Sequence, residues 1–163
     1  MKVYKLFRQT KDGNLHPMFV GSKEVTTIGI WLPAKVGEKT ADNRKVKSKL
    51  GGLAVRPGWH CCEFPFAGHI GKRQSDGSLY QSADTVWAEV EIPDKEVTAE
   101  VIAANPKTKD SKVLVDGWYW FKPNKAAKVR WLISSVIKVL RILSNEEVAS
   151  ICREHGIEPQ PIA

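Results

Sequence analysis

The run Val86-Trp87-Ala88-Glu89-Val90-Glu91-Ile92 alternates without a break. In an extended chain Val86, Ala88, Val90 and Ile92 fall on one side, and Trp87, Glu89 and Glu91 on the other. A strand with one apolar side needs partners, and the chain offers several. Val3 to Gln9 is rich in β-branched and aromatic residues and is followed by Lys11-Asp12-Gly13-Asn14, a turn sequence. Leu15 to Val20 reads as a return strand with Pro17 marking an edge or bulge, and Val25 to Leu32 as a third run stopped by Pro33. Trp59 to Glu63 reads as a short strand, Val113 to Lys122 as a strand pair turning at Asp116-Gly117, and Val129 to Leu143 as mostly strand.

Helical signals are fewer. Pro65 suits the first position of a short helix over about 65–70, where its missing N–H costs nothing. Ser144-Asn145-Glu146-Glu147 is a capping box, in which Ser144 caps and Glu147 reaches back to the cap's own N–H. Val148, Ile151, Cys152 and His155 recur at helical spacing and Gly156 supplies the stop, so a closing helix runs over about 145–155. The expected fold is α+β: one domain over residues 1–163, with a bent mixed or mostly antiparallel sheet and two short helices. Val3, Leu6, Phe7, Leu53, Val55, Val86, Ala88, Val90, Ile92, Trp131, Ile133, Val139, Val148 and Ile151 are the expected core.

Charge divides the chain unevenly. Twenty-five Lys and Arg face eighteen Asp and Glu, a net +7. Residues 35–49 carry a net +4 with almost no apolar side chains, which reads as a solvated, flexible basic loop. Residues 107–141 carry +7 and residues 50–106 carry −4, so the two stretches are separate surfaces or face each other. No apolar run approaches the roughly 20 residues of a membrane span. The N-terminus, punctuated by Lys2, Lys5 and Arg8, lacks a signal peptide's apolar stretch, and three cysteines are too few for a disulfide framework. A cytoplasmic protein in a reducing compartment is the expectation.

Three groups of residues could carry chemistry. His60, Cys61, Cys62 and His69 lie within ten residues, but adjacent strand residues point to opposite faces and no C-x-x-C spacing is present. They read as buried thiols and ordinary imidazoles, and no metal is expected. Glu89 and Glu91 share a strand face with Trp87, about 7 Å apart by strand rise, an arrangement able to stabilise a cationic intermediate. Lys122, Lys125, Lys128 and Arg130 interleave with Trp118, Trp120 and Trp131, the pattern of a basic groove with stacking platforms for a single-stranded nucleic acid.

Two resemblances follow. Leu6-Phe7-Arg8, then Gly58-Trp59-His60 with Pro65-x-Ala67, then Trp87-x-Glu89-x-Glu91 resembles the skeleton of ADP-ribosyltransferase-like domains. That resemblance implies a nucleotide-binding protein with NAD as cofactor. It implies Arg8 on the dinucleotide, His60 and His69 in the pocket, Trp59 or Trp87 stacked on a flat ring, and Glu91 as the catalytic acid with Glu89 its partner. Over nearly its full length the chain also resembles uncharacterised small proteins of bacteriophages and mobile elements. The shared strings are Arg56-Pro57-Gly58-Trp59-His60, Trp131-Leu132-Ile133-Ser134 and the Arg141-to-Val148 helix start. This second likeness implies no activity. It adds a host protein as an alternative partner and the host cytoplasm as the compartment.

Overall fold

The computed structural model describes residues 1–98, 107–123 and 128–163. Among the described residues twelve strands form: β1 Lys2–Gln9, β2 Leu15–His16, β3 Trp31–Pro33, β4 Lys45–Ser48, β5 Gly51–Ala54, β6 Trp59–Cys62, β7 Lys72–Arg73, β8 Leu79–Tyr80, β9 Thr85–Glu91, β10 Trp118–Phe121, β11 Trp131–Ser134 and β12 Val136–Ile142. The described residues hold one helix, α1, over Asn145–Glu154. The fold is sheet-dominated, so α+β describes it only loosely.

The main sheet runs in the order β10-β11-β6-β1-β9-β12-β3, with β2 added to β1, and every strand pair in it is antiparallel. Strands β11 and β12 lie four places apart in this order, yet only Ser135 separates them along the chain. The path β11-β6-β1-β9-β12 therefore begins and ends on one continuous segment, which curls the sheet into a small barrel. The seam is pinned around Ser135, whose amide donates to the Gly117 carbonyl at 2.9 Å and whose carbonyl accepts from the Ala34 amide at 2.7 Å.

Alternation along each strand sorts the side chains into two cores. Val3 and Phe7 of β1, Cys61 of β6, Ala88 and Val90 of β9, Leu132 of β11 and Val139 of β12 fill the inside. Leu6, Cys62, Trp87, Trp131 and Ile133, from the other faces, pack outward against Phe64, Phe66, Ile70 and the apolar stripe of α1. Helix α1 starts as the capping box requires: the Glu147 amide donates to Ser144 Oγ at 3.1 Å and the Ser144 amide donates to Glu147 Oε1 at 3.2 Å. Val148 and Ile151 face the outer core, and Cys152 is sealed with its thiol toward the Pro65 carbonyl.

Several expectations are corrected. No helix forms over residues 65–70. The backbone bonds there are short turns, Phe66 N–H to Phe64 O at 2.8 Å and Ile70 N–H to Ala67 O at 3.0 Å. Phe66, Ala67 and Ile70 pack against the outer core from these turns, while Gly68 and His69 between them stay exposed. The 15–20 and 25–32 runs form strands only at Leu15–His16 and Trp31–Pro33, with a single bridge joining Leu15 to Thr26. The Val113–Lys122 pair reduces to β10, because the preceding segment is held across the sheet by the Ser111 amide bonded to the Tyr119 hydroxyl at 3.0 Å. Within 35–49, Lys45–Ser48 pairs with Gly51–Ala54 as a hairpin, and Val46 is buried at 8% exposure. One well-placed valine packs a stretch that composition alone reads as loop.

Ion pairs join stretches 50–106 and 107–141. Arg130 with Glu63 at 2.9 Å and Arg141 with Glu89 at 3.7 Å set a base of the basic stretch against an acid of the acidic one, whereas Arg56 with Asp110 and Lys95 with Asp116 do the reverse. No helix among the described residues is long and apolar enough to cross a membrane.

Candidate functional site

The barrel wall has one weak seam. β1 and β6 pair only at Tyr4 opposite Cys62, and the next pair in line, Leu6 opposite His60, is not joined. The Lys5 ammonium fills the gap, donating to the His60 carbonyl at 3.0 Å. This ion therefore satisfies a backbone group that the ladder leaves open. Outside the seam lies a cleft of about 830 Å³, between the barrel and the β4–β5 hairpin, with Lys5, Leu6, Trp59 and His60 at its floor. Val46 and Leu53 line the hairpin side, which explains why Leu53 and Val55 are half-buried and not core.

The polar groups of the cleft are unequal. On the rim Lys35 is paired with Glu24 at 2.9 Å, Lys47 with Glu38 at 2.9 Å, and Arg56 with Asp110. Lys39, also on the rim, forms no ion pair among the described residues. Lys5 lies over the rings of Phe7 and Trp59, 5.5 and 5.6 Å from their centroids. Burial lowers its pKa below the usual lysine value, partly offset by the Cys61 and Cys62 thiols beside it.

His60 is set by its surroundings as well. Its Nε2–H donates to the Arg56 carbonyl at 3.0 Å, and its ring meets Phe121 edge-on at 5.2 Å. Burial pushes its pKa down to about 4, helped by the Lys5 and Arg56 charges and opposed by the Arg56 carbonyl and by Asp110. At neutral pH it is uncharged, with Nε2 committed and Nδ1 left as an acceptor. His69 is exposed at the edge of the same cleft, edge-on to Trp131 at 5.1 Å. Trp59 lines the floor and anchors its indole N–H on the Leu32 carbonyl at 3.0 Å.

Of the residues singled out from sequence, the cleft thus gathers Trp59, His60, His69 and Trp131. It does not gather Arg8, Glu89, Glu91, Trp87, Trp118 or Trp120. Arg8 sits opposite Thr85 at one end of the β1–β9 ladder, and Glu91 opposite Lys2 at the other. Six residues of strand separate the two ends, roughly 20 Å. The Arg8 guanidinium donates to the Ser22 carbonyl at 2.8 Å, and its buried Nε has no partner. Glu89 lies between Lys2 at 3.6 Å and Arg141 at 3.7 Å, and Arg141 also holds Glu147 of the capping box. Glu89 therefore ties the sheet to α1. Trp87, 2% exposed, is a core residue of the outer layer, so the stacking role expected of it is not available to a ligand. The expected meeting of Arg8, His60 and Glu91 around one hollow is not what the register produces.

The basic aromatic segment is also largely turned inward. Trp118, Tyr119, Phe121 and Trp131 are each 7% exposed or less. Trp120 is half-buried and covered by the Arg130 guanidinium, 4.0 Å from its ring centroid, while the same guanidinium forks onto Glu63. Lys128 lies over Phe66 at 5.8 Å, Lys122 is exposed, and Lys125 falls outside the described residues. Cys61 and Cys62 face opposite cores as strand alternation demands. Burial pushes the Cys61 thiol up to about 11 and Cys62 well above the usual range, which removes both as nucleophiles. Among the described residues no three His, Cys, Asp or Glu side chains are placed to hold a metal ion together.

Sequence reasoning missed Lys5 and the hairpin side of the cleft. Lys5 occupies an inward position of β1, between Val3 and Phe7, and a cation in an apolar alternation was the signal that could have found it. A comparison with protein-family models, with curated proteins and with solved structures finds no match to this chain, so the cleft is read on its own chemistry.

Proposed function

We propose that the cleft beside the β1–β6 seam binds a nucleotide, with NAD and single nucleotides as the ligands to try first. The observation that carries this reading is an ammonium with unused donors and a neutral imidazole with a free acceptor, side by side on an aromatic floor. A flat base or nicotinamide ring suits the aromatic and apolar lining. Lys39 on the rim and Lys5 at the floor suit the negative charge of phosphate. The volume lies in the range of small-molecule sites. The reading needs binding only. Glu89 and Glu91, the carboxylates that would serve ribosyl transfer, belong to another face of the barrel.

Calorimetric titration of the protein with AMP, ADP and NAD tests the proposal. Saturable binding is expected, weakened by added salt and by Lys39→Ala, and unchanged by Glu91→Gln. A protein that binds none of the three ligands up to millimolar concentration overturns it. A short single-stranded oligonucleotide belongs in the same series, since Lys45 and Lys49 of the hairpin extend the positive charge beyond the rim. Tighter binding of the oligonucleotide than of AMP, with a steep salt dependence, would replace the mononucleotide with a nucleic-acid strand.

A further inference from the structure

We infer that Lys5 is a reactive amine that condenses with the carbonyl group of a small phosphorylated aldehyde, forming an imine at the floor of the cleft. The inference shares its cleft with the nucleotide reading but not its ligand.

Placement is the first argument. Among the described lysines, Lys5 is the one on an inward-facing position of a central barrel strand, and it still lines the open cleft. Its neighbour across the β1–β9 ladder is Ala88, and the rings of Phe7 and Trp59 flank its Nζ. The titratable groups facing it are His60, Cys61 and Cys62, all on β6. Among the described residues no carboxylate pairs with it. Several other described lysines have carboxylate partners, all at the surface: Lys2 with Glu89, Lys35 with Glu24, Lys47 with Glu38, and Lys95 with Asp116.

Chemistry is the second. An amine adds to a carbonyl only in its neutral form, and a cation walled by apolar groups without a counter-charge holds its proton less tightly than an exposed one. The direction given above for Lys5 agrees with this placement. The Nζ lone pair forms a bond to the carbonyl carbon, and the C=O π pair moves to oxygen, which takes a proton from the amine. The resulting carbinolamine loses that oxygen as water with the second amine proton, leaving C=N. No oxidant or reductant is required. The ligand class follows from the surroundings: an aldehyde on a flat or short carbon frame to fit the aromatic floor, and a phosphate to meet Lys39 at the rim.

Pyridoxal 5′-phosphate is the probe, followed by borohydride reduction and peptide mapping by mass spectrometry, with and without saturating AMP. At limiting reagent, Lys5 should carry at least tenfold more reduced adduct than any other lysine, and its labelling should persist toward neutral pH. Loss of labelling on addition of AMP would place both ligands in the cleft. Undiminished labelling of Lys5 would uphold the amine and count against the nucleotide. Adducts spread over surface lysines with Lys5 unmodified would overturn the inference, whatever AMP does. Lys5→Arg keeps the charge and a donor to the His60 carbonyl, so it should fold and lose the dominant adduct. Mapping of the unaltered protein decides the question even if that variant does not fold.

Discussion

His60 offers the sharpest quantitative test of the cleft's electrostatics. In the folded chain its pKa is about 4, and in the unfolded chain it returns to its ordinary 6.5. Between these values the unfolded chain binds a proton that the folded chain refuses, so stability falls as the pH drops through this window. The linkage relation puts the loss between pH 7 and pH 5 at about 2 kcal/mol for this one group. Other groups also titrate, including the carboxylates Glu63 and Glu147, which hydrogen bonds to Arg130 and Arg141 hold below the usual range. Comparing the protein with His60→Gln removes these shared contributions, because glutamine keeps a donor for the Arg56 carbonyl and does not titrate. Urea denaturation of both proteins at pH 7 and pH 5 should show the variant losing about 2 kcal/mol less than its parent on acidification. A carbon-labelled histidine titration followed by NMR gives the same quantity directly. Parallel stability profiles for the two proteins, or an imidazole midpoint near 6.5, would refute the argument that burial at the seam keeps His60 neutral.

The cap of α1 predicts that Ser144→Ala costs about 1 kcal/mol in thermal or urea unfolding, with Glu147→Ala smaller but in the same direction. Gly58 adopts φ 129°, and a Cβ there would collide with Ile133 Cγ2 and lie 3.2 Å from the Ser134 carbonyl oxygen. Gly58→Ala should therefore destabilise by roughly 2 kcal/mol or more, read as a lowered urea midpoint. Because Glu89 bridges Lys2 and Arg141, Glu89→Gln should lower stability by less than about 1 kcal/mol, with the loss shrinking in high salt. Nucleotide affinity should not change in that variant; a loss of binding would move the site away from the β1–β6 seam.

Local patterns in this chain translated into structure where one segment contains the whole of the physics. Val86 to Ile92 alternates, and β9 is a strand with Ala88 and Val90 buried on one face, Val86 half-buried, and Ile92 buried just beyond its end. Ser144 and Glu147 are three residues apart, and the capping box they form starts α1 as spacing requires. Cys61 and Cys62 face opposite cores because neighbours on a strand must. Where an element depends on packing by distant residues, local reading failed. Pro65 suits a helix start, yet Phe66, Ala67 and Ile70 are claimed by the outer core and the segment stays in turns. Val46 alone converts part of a basic stretch into a packed hairpin.

The candidate site was legible only in part, since Trp59, His60 and His69 were singled out while Lys5 was not. By itself the sequence determined the strand faces, the capped helix and the positive charge, all products of periodicity and neighbouring side chains. Tertiary structure alone decided which strands meet. It set Arg8 and Glu91 at opposite ends of one ladder, joined β11 to β12 through Ser135 to close the barrel, and left the β1–β6 ladder unpaired after Tyr4 and Cys62. Register and pairing partner are long-range choices made by the whole core. Alternation sets Lys5 on the inward face of β1 with Val3 and Phe7, but only the β1–β6 seam makes it the floor of a cleft.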